Sequence, residues 1–473
     1  MVMGSLRLET QVAVIGSGPG GYVAAIRLAD LGKEVCLIEE RPRYGGTCLL
    51  EGCIPSKTLI HAVEVKESAL AAAAFGLGCT GTTVDLDLLR QHTDKVVGGL
   101  SSGIASLLKR RGVTTLAGRA RFSSPRSLEI EGGEVSGVDF EQCIIATGSS
   151  LNRLPEGITD KVWSSADALT LPAVPETLLV VGGGYIGLEL GLVYQGLGSR
   201  VSVVEFSPRL LMGADHDLVD IMVGSVSDRL DDVMLDSKVL AIDERAGGGF
   251  TVRIAHADQE IEKSYDQVLV AIGRRPNTDD LGLEHTRVTV DDHGIIKTDR
   301  TCQTDEPGLY AIGDVTHGPM LAHKASREGK IAAEVICGHP AEFDNRAIPA
   351  VVYTDPEIAW TGLTEREAAA AGTAVKVGRF PLTALGRART LDRTDGLVKI
   401  ICDPDDGLIL GVGIVGPHAS ELIAEGTLAI ELGATVEDLV ATIHPHPTLS
   451  EAVQEAAEVA MGAAVHVNPP RRS

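Results

Sequence analysis

A strand–glycine–helix–strand–acid unit that occurs twice restricts the fold of this chain more than any other feature of its sequence. In the first copy, the apolar run at residues 11–15 leads into Gly16, Gly18 and Gly21, then a helix, then a second strand that ends at Glu39. The glycines of such a turn let the backbone approach a pyrophosphate, to which the helix N-terminus offers N–H groups. The acid accepts hydrogen bonds from ribose hydroxyls. One copy alone would be a weak signal.

The second copy repeats the pattern in the same register. It begins near residue 178, carries Gly182, Gly184 and Gly187, and ends at Glu205, so that in both copies the acid follows the third glycine by 18 residues. A carboxylate repels a 2′-phosphate, and Glu205 therefore favours NAD over NADP. Two copies predict two Rossmann-like dinucleotide-binding domains, against the alternative that the glycines serve helix–strand packing alone.

Two cysteines, Cys48 and Cys53, follow the first unit closely and precede the start of a predicted helix. Residues five positions apart can close a small disulfide ring, and a disulfide beside a redox cofactor can accept and pass on electron pairs. A helix N-terminus lowers the pKa of a thiol and favours the reactive thiolate. The alternative is a structural disulfide or two buried thiols, which the surrounding motifs make the weaker interpretation.

Composition limits the location and the partners of the chain. Its 473 residues carry a net charge of −23, which disfavours binding to nucleic acid and to anionic membranes. It has no apolar run long enough to span a membrane and no signal peptide at its start, so we expect a cytoplasmic protein. The six other cysteines stand singly, mostly among apolar residues, and are expected in the core: Cys36, Cys79, Cys143, Cys302, Cys337 and Cys402.

A histidine–glutamate pair near the C-terminus is the candidate acid–base group. His446 is followed five positions later by Glu451. A histidine takes up a proton near neutral pH, and a carboxylate on its other ring nitrogen fixes the tautomer and stabilises the imidazolium. A lone His–Pro would more often be a loop residue. The nearby His444 is the harder assignment and ranks below His446 as a functional residue.

The predicted fold class is α/β, with two Rossmann-like dinucleotide-binding domains at residues 1–150 and 151–277, a central segment at 278–346 and a C-terminal α+β domain at 347–473. The family resemblance described next implies that the first domain binds FAD, that the second binds NAD, that the central segment completes the FAD site and that the last is the dimerisation (interface) domain. The last segment has no glycine fingerprint, which separates it from the first two domains.

Together these residues resemble the FAD- and NAD-dependent pyridine nucleotide–disulfide oxidoreductases. The resemblance covers about residues 9–465 and rests on five motifs. They are Gly-Gly-Thr-Cys48 through Cys53-Ile-Pro-Ser-Lys57, the second glycine motif through Glu189, Ala-Thr-Gly148, Gly-Asp314, and the segment His444-Pro-His446-Pro-Thr-Leu-Ser-Glu451.

The resemblance implies a set of cofactor contacts. In the family the first glycine motif binds FAD and the second binds NAD. It implies Lys57 and Glu189 as an ion pair beside the flavin, Asp314 on the ribityl chain, and backbone contacts from the residues near positions 120 and 320. The remaining implied FAD contacts are Gly16, Gly18, Gly21, Glu39, Gly46, Thr47, Ala120, Thr147, Gly148, Met320, Leu321 and Ala322, and those to NAD are Gly182, Gly184, Gly187, Glu205 and Gly273. No metal site is expected.

The resemblance also implies an activity and partners. Within the family the chain is similar to the E3 components of 2-oxo acid dehydrogenase complexes, which reoxidise protein-bound dihydrolipoamide. By that likeness it forms a homodimer in which His446 and Glu451 reach the disulfide of the other subunit, and it works with a lipoyl domain and an E2 acyltransferase.

Other readings stay open at this stage. A glutathione- or mycothiol-type disulfide reductase shares the flavin and the cysteine pair, although glutathione reductases usually place basic residues where this chain has Glu205. A mercuric ion reductase normally has a C-terminal cysteine pair, and no cysteine follows Cys402. A non-catalytic flavoprotein would be expected to lack one of the four reacting residues.

Two positions depart from the family pattern without removing a reacting group. Leu50 stands where asparagine is frequent, and Pro445 stands where a small residue is usual. The proline stiffens the segment that carries His446.

Overall fold

The computed structural model describes residues 6–152, 159, 161–257 and 259–468. The chain forms two compact units, each built from separate stretches of sequence. The first takes the described residues of Met1–Pro155, Ser164–Pro172 and Ile272–Asp344. The second takes those of Glu156–Trp163, Ala173–Ala271 and Asn345–Ser473.

Strands and helices alternate through most of the described chain. The strands are β1 Arg7–Ile15, β2 Val35–Glu39, β3 Thr114–Ala117, β4 Arg119–Ser124, β5 Ser127–Glu131, β6 Gly137–Ile145, β7 Ser149–Leu151, β8 Trp163–Ser164, β9 Thr177–Val181, β10 Arg200–Val204, β11 Asp232–Met234, β12 Lys238–Glu244, β13 Phe250–His256, β14 Gln259–Tyr265, β15 Gln267–Val270, β16 Arg274–Pro276, β17 Leu309–Ala311, β18 Ala350–Val352, β19 Glu357–Gly362, β20 Lys376–Pro381, β21 Leu397–Cys402 and β22 Ile409–Gly416. The α-helices are α1 Pro19–Asp30, α2 Gly46–Glu51, α3 Cys53–Ala71, α4 Leu86–Arg110, α5 Ser165–Leu169, α6 Tyr185–Leu197, α7 His216–Val226, α8 Ala322–Ile336, α9 Glu365–Ala371, α10 Gly386–Thr390, α11 Ala419–Leu432, α12 Val436–Ala441 and α13 Glu451–Met461.

The first unit is built on a sheet of order β3–β2–β1–β6–β5–β4, with β17 also paired to β6. The strands β17, β6, β1, β2 and β3 run parallel. Val12, Ala13 and Val14 of β1 are fully buried, so both faces of the sheet are covered. Parallel strands need this cover, and the central parts of β1 and β2, at residues 12–15 and 35–38, are accordingly apolar.

Glycines set how closely helices α1 and α8 approach each other beside this sheet. A Cβ at Gly329 would come within 2.5 Å of the backbone oxygen of Gly20. A Cβ at Gly20 would lie 3.0 Å from the backbone oxygen of Ala325. Larger residues at Gly20 or Gly329 would therefore push the two helices apart, together with the glycine turn that precedes α1.

The second unit contains the second dinucleotide fold. Its sheet has the order β11–β10–β9–β15–β8, in which β9, β10, β11 and β15 are parallel. The strands β12, β13 and β14 form a separate antiparallel meander. Helix α6 follows β9 directly and is buried over most of its surface. This repeats the strand–turn–helix order of the first unit.

The same unit carries an antiparallel sheet of order β18–β19–β22–β21–β20. Helix α13 packs so closely on β20 that a Cβ at Gly378 would lie 2.1 Å from the backbone oxygen of Ala456. The core between this sheet and its helices is apolar and mostly aliphatic, with Phe380 and Ile414 almost fully buried. The predicted α+β character of the C-terminal segment agrees with this arrangement.

A buried lysine joins the antiparallel sheet to helix α7. Lys399, whose side chain is 1% exposed, lies 2.7 Å from Asp215, 2.6 Å from Asp217 and 2.8 Å from Glu365. Arg379 bonds to Asp217 and Glu365 from the surface side. Although burial opposes both effects, these contacts raise the pKa of Lys399 and lower that of Asp217. The ammonium of Lys399 occupies the centre that three convergent carboxylates would otherwise offer to a cation.

The two units differ from the predicted domain bounds in several stretches. Residues 151–152, 164–172 and 272–277, placed in the predicted NAD domain, group with the first unit, the last of them because β16 pairs with β7 there. Residues 345–346, placed in the predicted central segment, group with the second unit. Cys79, expected in the core, is exposed, whereas Cys36, Cys143, Cys302 and Cys402 are buried and Cys337 is half-buried. Cys79 belongs to the segment between α3 and α4, where no strand or α-helix holds it against the sheet.

None of the helices in the described part of the chain has the length and apolar composition needed to cross a bilayer.

Candidate active site

The first glycine turn leaves room for a ligand to come close to the protein backbone. Gly16 has a φ of +98°, and a Cβ there would meet the backbone oxygen of Ala146 at 2.4 Å. A Cβ at Gly21 would lie 1.9 Å from the backbone oxygen of Gly16, so this residue packs the helix on the strand. A Cβ at Gly18, in contrast, would meet no atom within 4 Å, and this glycine is the one that borders open space.

Glu39 fastens this turn from the end of β2. Its Oε2 accepts hydrogen bonds from the Ser17 N–H at 2.8 Å and the Ser17 hydroxyl at 2.6 Å. Its Oε1 accepts from the Arg41 N–H at 2.9 Å. A carboxylate offers about four acceptor positions, which leaves capacity for a ribose hydroxyl. The acid predicted to bind the ribose thus also organises the loop.

Arg41 provides a test of whether the site fits a nucleotide. Its Nη1 is buried and has no hydrogen-bond partner among the residues that the structure describes. Glu51 Oε2 lies 3.1 Å from this nitrogen, so the two form an ion pair, but their geometry is not that of a hydrogen bond. A buried donor of this kind needs an acceptor, and an anionic or hydroxyl-bearing cofactor beside Glu39 would supply one. The open cradle at Gly18 and this donor both fit FAD.

Gly46 and Thr47 begin helix α2 directly against the glycine turn. Gly46 has a φ of +62°, and a Cβ there would lie 2.6 Å from the Cα of Gly18. Glycine at both positions therefore lets the start of α2 reach the place where a pyrophosphate would lie. Ala120 lies farther away on β4, where it pairs with Ile130 of β5.

Asp314 occupies a short 3-10 turn after β17, and two residues that the sequence did not single out orient it. The Ser149 hydroxyl donates a 2.5 Å hydrogen bond to Asp314 Oδ2. Arg274 donates from Nε to the Ser149 hydroxyl at 2.8 Å and from Nη2 to the Ser149 carbonyl at 2.6 Å. Because Arg274 supplies the proton in its own bond, the single hydroxyl proton of Ser149 faces Asp314. The ribityl contact implied for Asp314 stays a prediction.

A buried ion pair clamps the same turn from helix α8. Lys324 Nζ donates to the Gly313 carbonyl at 3.1 Å and to the Thr316 hydroxyl at 2.9 Å, and it lies 3.1 Å from Glu328. Glu328 accepts from the Gly313 N–H at 2.6 Å. Burial raises the pKa of Glu328, and Lys324 opposes that shift. Met320, Leu321 and Ala322, predicted to face the flavin through their backbones, lead directly into this helix.

The Thr147–Gly148 turn is tied to Asn277. Thr147 donates from its hydroxyl to the Asn277 carbonyl at 2.7 Å, and the Asn277 amide donates to the Thr147 carbonyl at 2.9 Å. The Asn277 N–H also donates to the Gly148 carbonyl at 2.9 Å. Gly273 has a φ of +92°, and its carbonyl accepts from the Asn152 N–H at 3.1 Å. These bonds explain why residues 272–277 belong to the first unit.

Cys48 and Cys53 lie on two consecutive helices. Cys48 is the third residue of α2, Cys53 is the first residue of α3, and Gly52 joins the two helices. Both cysteines carry thiols in the structure, and a hydrogen bond between the two side chains, together with burial, raises the pKa of Cys48, while Lys57 opposes the shift. The roles of the two sulfurs stay a prediction. Burial, and secondarily Cys48, raises the pKa of Tyr22.

The second glycine turn copies the first. Gly182 has a φ of +112°, a Cβ at Gly187 would lie 2.1 Å from the Gly182 backbone oxygen, and a Cβ at Gly184 would meet no atom within 4 Å. Glu205 Oε2 accepts from the Gly183 N–H at 2.6 Å, and its Oε1 accepts from the Ser207 N–H at 2.7 Å. Two neutral N–H donors hold this carboxylate at the end of β10.

Glu189 lies on helix α6 of the second unit and is buried. Its Oε1 accepts from the Tyr353 N–H at 3.0 Å. Lys57 is on helix α3 of the first unit. The ion pair implied for Lys57 and Glu189 joins residues of different units, and it stays a prediction.

His446 and Glu451 form the predicted pair in the second unit. His446 Nδ1 lies 2.8 Å from Glu451 Oε1, and Glu451 Oε2 accepts from the Thr448 N–H at 2.8 Å. Although burial opposes it, these two bonds hold the pKa of Glu451 below its usual range. The His446 side chain is 78% exposed, so Nε2 is available to an incoming thiol.

The two glycine turns and the thiol pair define a dinucleotide-dependent disulfide oxidoreductase. The family model described as pyridine nucleotide-disulphide oxidoreductase matches residues 10–329, and the dimerisation domain of the same family matches residues 348–457. The chain therefore belongs to the pyridine nucleotide-disulphide oxidoreductase family.

Individual relatives agree along almost the whole length. A dihydrolipoyl dehydrogenase of Haloferax volcanii is 44% identical and covers 98% of this chain and 99% of its own. One of Bacillus subtilis is 43% identical, with 99% and 100% covered. Among solved structures, LpdA from Mycobacterium tuberculosis matches with a TM-score of 0.86 at 28% identity, over 95% of this chain and 99% of that one.

Proposed function

We infer that this chain is a dihydrolipoyl dehydrogenase, which reoxidises protein-bound dihydrolipoamide to lipoamide and reduces NAD+. The observation that carries this conclusion is the identity of 42–46% with several proteins of that name over nearly the full length of both chains. The cofactors are FAD and NAD. When bound, FAD supplies the two-electron chemistry that links the thiol pair to the nicotinamide.

The residues of the thiol step follow from the site. His446 accepts a proton from one thiol of the substrate, and the resulting thiolate attacks Cys48, which breaks the Cys48–Cys53 disulfide and releases the Cys53 thiolate. The protonated His446 delivers its proton to the departing Cys48 sulfur as the second substrate thiol attacks the mixed disulfide and closes the lipoamide ring. The proton of that second thiol passes to the neutral His446. The substrate loses two electrons and two protons, and the enzyme ends with one thiol, one thiolate and a protonated His446.

The placement of the two cysteines supports this order of events. Cys53 is the first residue of α3, and a helix N-terminus favours a thiolate. The hydrogen bond between the two side chains and burial raise the pKa of Cys48, which is half-buried in α2. We therefore assign the negative charge of the reduced pair to Cys53 and the exchange with substrate to Cys48.

The dimerisation domain supports a homodimer. Beyond this, we propose that His446 and Glu451 serve the thiol pair of the other subunit. His446 is exposed although its partner carboxylate is mostly enclosed, which suits a residue that completes a site on another chain. A lipoyl domain is the proposed substrate carrier, an E2 acyltransferase the proposed docking partner, and the cytoplasm the proposed location.

Steady-state kinetics test this function. Dihydrolipoamide, glutathione and mycothiol would be compared as thiol substrates with NAD+ and with NADP+. We expect turnover with dihydrolipoamide and NAD+ to exceed every other combination by at least about 100-fold in kcat/KM. A preference for glutathione or mycothiol, or for their disulfides when the reaction is run in reverse, would contradict the assignment.

A further inference from the structure

His444, two residues before His446, is enclosed and hydrogen-bonded at both ring nitrogens. Nε2 lies 2.6 Å from Glu425 Oε1, and Nδ1 lies 3.0 Å from the carbonyl oxygen of Thr442. The side chain of His444 is 4% exposed, whereas that of His446 is 78% exposed. The two neighbouring histidines therefore occupy opposite environments, and the mechanism uses only the exposed one.

Both partners of His444 are hydrogen-bond acceptors. A backbone carbonyl has no proton to donate, and an ionised carboxylate has none either. A neutral imidazole carries one N–H and would direct a lone pair at one of these oxygens. The ring satisfies both contacts when each of its nitrogens carries a hydrogen, so that two N–H groups face two oxygen atoms.

These two contacts fix the segment that carries His446. Glu425 lies in the middle of α11, and Thr442 caps the end of α12, so His444 anchors the segment to two helices. On the other side of His446, the Thr448 hydroxyl donates to the Pro445 carbonyl at 2.7 Å. The segment is thus held before and after the catalytic ring.

The charge of His444 also acts on the catalytic pair. Among the described residues, Glu425 of α11 contacts its ring, and Glu451 of α13 is close enough to respond to its charge. His444 adds to the hydrogen bonds that lower the pKa of Glu451. An ionised Glu451 keeps the proton of His446 on Nδ1 and leaves Nε2 as the base.

We propose that His444, held as an imidazolium by Glu425, is a positioning residue for the His446–Glu451 pair. It fixes the segment in space and supplies a second positive charge beside Glu451. This rests on the proposed function, since it gives His444 a part in dihydrolipoamide oxidation.

Two variants and a matched control test the proposal: His444→Gln, Glu425→Gln and, on an exposed turn of the first unit, His293→Gln. The holoenzyme would be assayed with dihydrolipoamide and NAD+ across pH, and with NADH and ferricyanide, which bypasses the thiol step. We expect His444→Gln to lower kcat/KM for dihydrolipoamide about 10-fold and to leave ferricyanide reduction within about twofold. The control should match the parent in both assays.

The pH profile separates a charged positioning residue from a purely structural one. Loss of the cation makes a second proton on His446 easier to accept, so the acid-side midpoint of kcat/KM should move to higher pH in His444→Gln. Glu425→Gln removes the counter-charge that keeps the second proton on His444. The ring then becomes neutral, and the acid-side midpoint of kcat/KM in this variant should also move to higher pH. A fall in rate with no midpoint shift in Glu425→Gln would overturn the proposal, and so would an unchanged rate. Glu425 is partly exposed, so this variant serves if His444→Gln does not fold.

A direct measurement stands apart from the lipoamide assay. In 15N-histidine-labelled protein, the signal of His444 is identified by its absence from the spectrum of His444→Gln. In the parent protein this signal should show two protonated ring nitrogens above the pH at which His446 loses its charge. A neutral ring there would overturn the inference even if the enzyme is active. If the parent protein fails to oxidise dihydrolipoamide but this signal is present, the proposed function fails while the charge state of His444 stands.

Discussion

The hydroxyl of Ser149 donates a 2.5 Å hydrogen bond to Asp314, a residue 165 positions later in the chain. Arg274 fixes the direction of that proton by donating to the same hydroxyl. This hydrogen bond holds one oxygen of the Asp314 carboxylate and so fixes the orientation of the whole group. The turn that bears Asp314 is clamped in addition by the buried Lys324–Glu328 pair.

Replacement of Ser149 by alanine should weaken FAD binding. The variant removes the donor that orients Asp314 and leaves one bond of Arg274 without its acceptor, which corresponds to about a 5- to 15-fold loss of affinity. The measurement is a titration of apoprotein with FAD, followed by quenching of flavin fluorescence. Ser123→Ala, in an exposed strand of the same unit, is the matched control and should bind FAD like the parent. Equal affinities for the parent and Ser149→Ala would show that Asp314 needs no such orientation.

Substitution of each cysteine of the pair should cause a different defect. Cys53→Ser should abolish the long-wavelength absorption band expected when dihydrolipoamide reduces the enzyme without oxygen, because the variant lacks the proposed thiolate. Cys48→Ser should lower lipoamide turnover by more than about 100-fold, since the sulfur that substrate attacks is lost. Both variants should keep NADH–ferricyanide activity. Cys79→Ser, at an exposed thiol, is the control and should change neither property; a persistent band in Cys53→Ser would reverse the assignment of the two sulfurs.

Glu205→Gln should weaken the binding of NAD+ and reduce the preference of the enzyme for NAD+ over NADP+. The carboxylate accepts from two loop N–H groups, and an amide presents only one acceptor oxygen, so one N–H loses its partner. We expect KM for NAD+ to rise about 10-fold or more, and the ratio of kcat/KM for NAD+ to that for NADP+ to fall. Glu176→Gln, at an exposed surface pair with Arg200, is the control. An unchanged coenzyme ratio would remove Glu205 from the specificity determinants.

Lys399→Met should destabilise the second unit by about 3–5 kcal/mol at pH 7, because three carboxylates lose the buried cation between them. The folded-state pKa of Asp217 is lowered, so its contribution to stability is present above the ordinary pKa of an aspartate and is lost as pH falls through the lowered value. In the variant the carboxylates repel one another, and their protonation relieves the strain.

The gap in unfolding free energy between the parent and Lys399→Met should therefore narrow as pH falls from 7 towards 4. Urea denaturation at fixed protein concentration and excess FAD measures it, with the exposed Lys376→Met as the control. A gap that stays constant with pH would mean that the loss comes from packing and not from charge.

The chemistry of this protein could be predicted from its sequence wherever neighbours in the chain are also neighbours in space. The glycine turns, the two cysteines around Gly52 and the His446–Glu451 pair are all local motifs, because a turn or a single helix start brings their members together. The strands around the first glycine turn were predicted for the same reason: the apolar run at residues 11–15 lies in β1, and the strand expected to end at Glu39 is β2.

Only the tertiary structure decided which distant residues support those motifs. Ser149 meets Asp314 because β17 returns to pair with β6, and residues 272–277 join the first unit because β16 pairs with β7. Glu425 meets His444 because α11 packs on the same sheet as the helices that flank the catalytic segment. Such contacts depend on the order of strands and on the packing of helices between them, and no spacing along the chain encodes either directly.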